Sequence, residues 1–238
     1  MRLVLHQLPP YGWLPSLSPF CVKVQLGLRL KGVEYTTRDT LFAKTVNPRG
    51  KLPYLKWDEE GLEDSTHILR VLDARVTKGP RLFPPNADVD LLEDWADESL
   101  YWFGVYAKFI EDEGWSRLAP HFARMFPLAL RPLGPLVARR QTVAKVKAHG
   151  LSTRAPELVR EEFEGHLESL EARLEGRAFL TGDEPTAADV AVTGMLLQFH
   201  ADFLPWWAAR LGERPRLSAL VSSLAARAGL SGQRVGGG

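Results

Sequence analysis

The 238-residue chain has a single cysteine, Cys21, which rules out an intramolecular disulfide and any cysteine-cluster metal site. Its six histidines, His6, His67, His121, His149, His166 and His200, lie far apart with no ligand spacing, so no metal is expected. No apolar run approaches the roughly 18 residues of a membrane-spanning helix. The longest candidates are broken by Pro127, Pro132 and Pro135, so no membrane span is expected. No cleavable apolar leader is visible at the N-terminus, and with one cysteine the expected compartment is the reducing cytoplasm. Acidic residues are missing from Trp115 to Pro156, whereas Asp88 to Glu113 is almost purely acidic, so the net charge of +1 conceals a segregated chain. Two helices lying against each other, or a solvated face, account for such a pattern; a polyanion-binding face on Arg117 to Arg154 is the other reading.

What is present suits a globular protein: 45% apolar and 25% charged residues can bury a sizeable core. Arg2 to Leu8 reads as a strand, Pro9 to Leu17 as a loop, Ser18 to Lys31 as a helix closed by Gly32, and Val33 to Thr37 as a second strand paired parallel to the first. Pro53 to Trp57 and Leu62 to Glu63 read as an antiparallel hairpin turned by Asp58-Glu59-Glu60-Gly61. Ser65 opens a helix with Ile68, Leu69, Leu72 and Val76 on one side.

The pattern changes after a Pro- and Gly-rich linker. Residues 1–78 form a small α/β module, 79–87 the linker, 88–230 an all-helical domain and 231–238 a flexible tail with nothing to bury. From Asp88 a long helix with an aromatic side is expected, carrying Trp95, Trp102, Phe103, Tyr106 and Phe109. Trp115 to Leu151 reads as several short helices or an irregular cap, and Glu157 to Leu174 as a clean amphipathic helix. Thr186 and Asp189 form a capping box for an apolar central helix running from Ala187 to about Phe203.

Three local signals occur in one order. In Ser18-Pro19-Phe20-Cys21, Ser18 suits a helix N-cap and Pro19 the first helical position. Whatever sits beside Ser18 therefore faces unpaired backbone N–H groups and the positive end of a helix dipole, a setting suited to an anion such as a thiolate. Leu52-Pro53 places a rigid turn before a strand, and Asp64-Ser65 stands at a second helix start. Each also has a bland reading: Ser18 and Asp64 as simple caps, Pro53 as a trans proline in an edge strand.

The order of these elements resembles the thioredoxin-like glutathione transferases over nearly the whole chain. Lys51-Leu52-Pro53-Tyr54 is similar to that family's cis-proline turn, Asp64-Ser65 to its acidic-serine pair, and Thr186-Ala187-Ala188-Asp189 to its helical-domain capping box. A closer resemblance is to the bacterial branch related to failed-axon-connections and metaxin proteins. It rests on Ser16 to Val24, Pro48 to Tyr54, Leu100-Tyr101-Trp102, Phe126 to Arg131 and Phe179 to Asp183. The resemblance implies an α/β thioredoxin-like N-terminal domain followed by an all-α helical bundle, glutathione as co-substrate without a metal, and a homodimer. No nucleic-acid partner is expected.

By that resemblance Ser18 is the catalytic hydroxyl, donating to the glutathione sulfur, and Phe20, Lys51, Leu52, Pro53, Asp64 and Ser65 contact glutathione. Glutathione carries an ammonium and two carboxylates, so its site needs an acceptor beside donors, which Asp64 and the Ser65 hydroxyl and amide can supply. Leu52 can pair with the cysteinyl backbone like an added strand. Lys51, or Lys44, can meet the glycyl carboxylate, although exposed lysines are commonly only solvated. Tyr11 is the rival thiol donor. Tyr11, Trp13, Tyr101, Trp102 and Tyr106 are the expected walls of a pocket for a hydrophobic electrophile. Cys21 follows Ser18 by three residues, and with no thiol at position 18 an intramolecular dithiol cycle is impossible; Cys21 either packs inward or forms mixed disulfides. The alternative to a transferase is a glutathione-binding or protein-interaction member of the same branch without turnover.

Overall fold

The computed structural model describes residues 2–230; the tail expected at 231–238 lies outside the described residues. Strand β1, Leu3–Gln7, is buried along its whole length and forms the centre of a four-stranded sheet. It pairs parallel with β2, Thr36–Asp39, and antiparallel with β3, Tyr54–Trp57, which pairs antiparallel with β4, Glu60–Glu63, giving the order β2-β1-β3-β4. Register is fixed by Leu5, which stands opposite Thr37 on one side and Leu55 on the other. A slip of one residue would exchange the side chains on its two buried faces.

Two strand boundaries differ from the sequence reading. Helix α1, Pro19–Leu30, ends in a Schellman motif: Gly32, at φ +62°, donates to Arg29 O at 2.9 Å and Val33 N–H reaches Leu28 O at 2.9 Å. Val33 is thus spent on closing the helix, and β2 begins only at Thr36. The hairpin between β3 and β4 is tighter than expected, because Trp57 pairs with Glu60 and only Asp58 and Glu59 make the turn, with Asp58 at φ +52°. Helix α2, Ser65–Arg75, follows β4 directly.

The remaining elements are helical. Helix α3, Ala87–Trp95, runs through a π-helical turn at Ala96–Leu100 into α4, Tyr101–Phe109, so the expected long helix is continuous but carries one wide turn. The basic stretch folds as two long helices, α5, Asp112–Met125, and α6, Gly134–His149, and not as several short ones. Pro127 and Pro132 fall in the connection and Pro135 in the first turn of α6, where a missing N–H costs nothing. Then come α7, Pro156–Arg173, α8, Ala187–Leu196, α9, Pro205–Gly212, and α10, Pro215–Arg227.

Every residue of α8 is buried, and it packs between α1 and α3 as the central helix. Its start is pinned by Asp189, whose carboxylate accepts the Thr186 N–H at 2.9 Å and the Leu180 N–H at 2.8 Å. It stops at Leu196, short of Phe203, and residues 197–204 turn irregularly before Pro205 opens α9. No helix of the described residues is long and apolar enough to cross a membrane.

Candidate active site

A cleft of about 1010 Å³ opens between the sheet module and the π-helical turn. Three places where the chain changes direction build its floor. At the first, Ser18 takes an extended conformation (φ −85°, ψ 118°) as the N-cap of α1, and its Oγ accepts the Cys21 N–H at 3.4 Å. The Ser18 N–H donates to Ser16 Oγ at 3.2 Å, and the Ser16 hydroxyl donates to Leu8 O at 2.8 Å, so the residue is held from both sides. Capping uses a lone pair of Ser18 Oγ and leaves its proton to donate, either toward the neighbouring Cys21 sulfur or into the cleft. Pro19 completes this start with no N–H to satisfy.

At the second place the Leu52-Pro53 peptide bond is cis, and both residues line the cleft. At the third, Asp64 adopts φ +71° and caps α2 by accepting the His67 N–H at 3.0 Å on Oδ1. Its other oxygen stays available. Ser65 is buried beside it at the start of the helix, and its hydroxyl makes no hydrogen bond within the described residues. Phe20, Arg49, Lys51 and Glu63 complete the floor and near side, with Arg49 Nε 3.1 Å from Glu63 Oε1. Lys44 lies across Gly50 at the rim.

The opposite wall consists of Asp97, Glu98, Tyr101 and Trp102. Tyr101 packs on Phe20 at 4.7 Å and on Trp102 at 5.2 Å, and Trp102 stacks on His149 at 4.5 Å. Burial pushes the Tyr101 phenol up to about 12. Asp97 has a special setting. Its Oδ2 meets the Lys23 Nζ at 2.6 Å, and Lys23, fully buried in α1, also pairs with Glu93 and donates to Thr66 at 3.2 Å. Two carboxylates therefore share one ammonium. Burial, reinforced by Glu93 and opposed by Lys23, pushes the Asp97 carboxyl up to about 6. Its Oδ1 is buried and has no hydrogen-bond partner.

Of the residues expected at the site, Ser18, Phe20, Lys51, Leu52, Pro53, Asp64, Ser65, Tyr101 and Trp102 line this one cleft. Three expected wall residues stand elsewhere. Tyr11 is buried against Phe203 at 4.2 Å and His200 at 5.2 Å, and its hydroxyl has no partner. The cause is local: Tyr11 and Leu14 exchange two 3.0 Å backbone hydrogen bonds around Gly12, at φ +59°, which turns the Tyr11 ring toward the helical side. Trp13 lines a separate hollow with Arg117, His121 and Asp202. Tyr106 is buried one turn beyond Trp102, edge-on to Trp207.

Cys21 is fully buried, and desolvation pushes its thiol up despite hydrogen bonds from the Ser18 and Ser16 side that favour the thiolate. An inert packing residue fits this setting, since a reactive thiol needs access and a lowered pKa. Arg49, Glu63, His67, Asp97 and Glu98 line the cleft without having been singled out from the sequence. Only the acidic run from Asp88 hinted at the last two. Among the described residues no group of His, Cys, Asp or Glu side chains is placed to hold a metal ion.

Comparison with known proteins agrees with this fold. Residues 19–114 match the model of the glutathione S-transferase N-terminal domain and residues 137–221 that of the glutathione S-transferase C-terminal domain. The chain is 29% identical over 219 residues to failed axon connections of Drosophila melanogaster, a match covering 83% of this chain and 50% of that protein, so it spans about half the length of that relative. It is 28% identical over 207 residues to the isoprene-epoxide glutathione S-transferase of Rhodococcus sp. strain AD45, covering 82% and 85%. Among solved structures, a glutathione S-transferase from Methylobacterium radiotolerans in complex with glutathione sulfonate superposes with a TM-score of 0.55 at 23% identity, covering 95% and 92%.

Proposed function

Because this chain belongs to the glutathione S-transferase family, we propose that its cleft binds glutathione and that Ser18 activates the thiol for attack on a hydrophobic electrophile. The observation that carries the reading is a donor-ready serine hydroxyl at a helix N-terminus, in the same cleft as the cis Leu52-Pro53 turn and the Asp64-Ser65 helix start. The γ-glutamyl carboxylate goes to the Ser65 hydroxyl and the N-terminus of α2, where backbone N–H groups favour an anion. The ammonium goes to the free Asp64 oxygen and to the unpartnered Asp97 Oδ1. The buried Lys23-Glu93-Asp97 group carries one excess negative charge when ionised, which a substrate cation offsets. Leu52 pairs with the cysteinyl backbone, and Lys51 with Arg49 receives the glycyl carboxylate.

The chemistry asked of the protein is modest. The bound thiol gives its proton to solvent while the Ser18 O–H donates to the sulfur, lowering the thiol pKa from about 8.5 toward neutrality. A thiolate lone pair then forms a C–S bond as the bond from that carbon to its leaving atom breaks, and the leaving atom takes the electron pair and a proton from water. Phe20, Tyr101 and Trp102 offer the electrophile an apolar surface that holds it near the sulfur. The reading includes a cytoplasmic homodimer, checked by sedimentation equilibrium and fractionation.

The test is retention on immobilised glutathione together with thiolate absorbance near neutral pH, in the parent and in Ser18→Ala. Retention with loss of the thiolate signal is expected in the variant. An unchanged signal removes Ser18 as the activating group, and a parent that is not retained removes glutathione as the ligand. A second reading is glutathione binding without turnover, with which the likeness to failed axon connections, a name that states no transferase activity, is compatible. Its signature is retention and a thiolate signal with no conjugation across a broad panel of electrophiles.

A further inference from the structure

The connection between α5 and α6 departs from the rest of the surface. Residues Pro127 to Leu133 are exposed without interruption. Leu128 is 77% exposed, Leu133 69% and Leu136 58%, with Leu130 and Val137 also exposed. Five of the eight exposed large hydrophobic residues among the described ones thus fall within residues 128–137. Clustering of this kind marks an interaction surface, whereas isolated exposed leucines do not.

The charge around this elbow has one sign. No Asp or Glu occurs between Glu113 and Glu157 in the sequence. Some cations of the stretch are committed elsewhere: Arg117 to Glu113, Arg139 to Asp112 and Arg154 to Glu162. Arg124, Arg131, Arg140, Lys145 and Lys147 are exposed, and none forms an ion pair among the described residues. The Arg131 side chain donates to the Phe126 carbonyl at 3.2 Å and meets no carboxylate among the described residues. An apolar tip ringed by uncompensated cations is complementary to a phase that is apolar inside and anionic at its surface.

We propose that this elbow docks the protein peripherally on an anionic lipid bilayer. The leucines enter the boundary between headgroups and acyl chains, and Arg124, Arg131 and Arg140 meet lipid phosphates. Seven successive exposed residues form a tip, which a deformable medium covers on all sides; a protein partner would need a matching pit. A nucleic acid satisfies the cations but offers no phase for five aliphatic side chains. The elbow also lacks an exposed aromatic platform for stacking bases, since Phe126 is half-buried against Phe122. Attachment needs no membrane-spanning helix.

The test is co-flotation of the full chain with vesicles of phosphatidylcholine, with and without phosphatidylglycerol at about one third of the lipid. Binding to the anionic vesicles alone, weakened by salt, is expected. Leu128→Ser with Leu133→Ser, and separately Arg131→Glu with Arg140→Glu, should each reduce binding at least tenfold while leaving the melting temperature and retention on immobilised glutathione unchanged. No flotation with anionic vesicles at low salt overturns the proposal. Equal binding by the leucine variant also overturns it, as that leaves only unspecific charge attraction, the behaviour expected toward DNA or an acidic protein. A leucine variant that turns a dimer into a monomer while the parent fails to float assigns the elbow to a second copy of the chain instead.

Discussion

Lys23 of α1 and Asp97 of the π-helical turn meet at 2.6 Å, with the lysine fully buried and the aspartate reaching the wall of the cleft. The contact joins the sheet module to the helical part at the place where substrate is proposed to bind. Because Glu93 leans on the same ammonium, the cation holds two acids together that would otherwise repel.

Removing that cation should be costly. Lys23→Met leaves Glu93 and Asp97 buried without a cation, with only the Thr66 hydroxyl between them, and loss of one member of a buried ion group costs about 3–5 kcal/mol. Chemical denaturation should show a loss of that order, with weaker retention on glutathione. A loss below about 1 kcal/mol would mean that the cluster is solvated in practice.

Asp97 should impose a pH dependence on binding. Its carboxyl, ordinarily near 3.8, is raised to about 6, so affinity for the glutathione ammonium should fall as pH drops through 6, and Asp97→Asn should flatten the profile. Stability runs the other way. The folded state holds the proton more tightly than the unfolded one, so the contribution of Asp97 is greatest below pH 3.8 and is lost as pH rises toward 6. Calorimetry of glutathione binding between pH 5 and 8 and urea melts across pH 3–7 check the two halves separately. A parent profile indistinguishable from that of Asp97→Asn would remove Asp97 from the binding site.

Tyr11→Phe should leave the thiolate signal intact. Burial pushes the Tyr11 phenol up, and its hydroxyl lies unpaired against Phe203 and His200. Deleting it relieves an unsatisfied polar group, so stability should hold or rise by about 1 kcal/mol. Loss of the thiolate in this variant, with Ser18→Ala unaffected, would exchange the two roles.

Asp189→Ala should destabilise the helical part. It strips the acceptor from the buried Thr186 and Leu180 N–H groups, at about 1–3 kcal/mol for each unpaired donor. Asp189→Asn keeps one carbonyl oxygen and should cost less, so the thermal midpoints of the two variants should separate in that order.

The floor of the cleft was legible in the sequence because each part is a local backbone device. Ser18-Pro19 encodes a helix start, Leu52-Pro53 a fixed turn and Asp64-Ser65 a cap, and these positions share one cleft. The strand at Val33 was misplaced for an equally local reason that is harder to read, the use of its N–H to close α1. The aromatic wall was less legible, since the direction of a side chain depends on what packs around it. Tyr11 and Tyr106 carry the same chemistry as Tyr101 but sit against Phe203 and Trp207. Asp97 escaped notice because nothing in an acidic run distinguishes the carboxylate that a buried lysine in another helix will hold.

The π-helical turn at Ala96–Leu100 has a consequence for the whole wall that follows it. Each residue advances an α-helix by about 100°, so one residue taken up in a wider turn rotates everything downstream by that angle. The phase of Tyr101 and Trp102 relative to α3 is thus set by the width of that turn, not by side-chain identity. A homologue of the same length that closed this turn as ordinary α-helix would aim both rings along a bearing about 100° away and so line a different pocket.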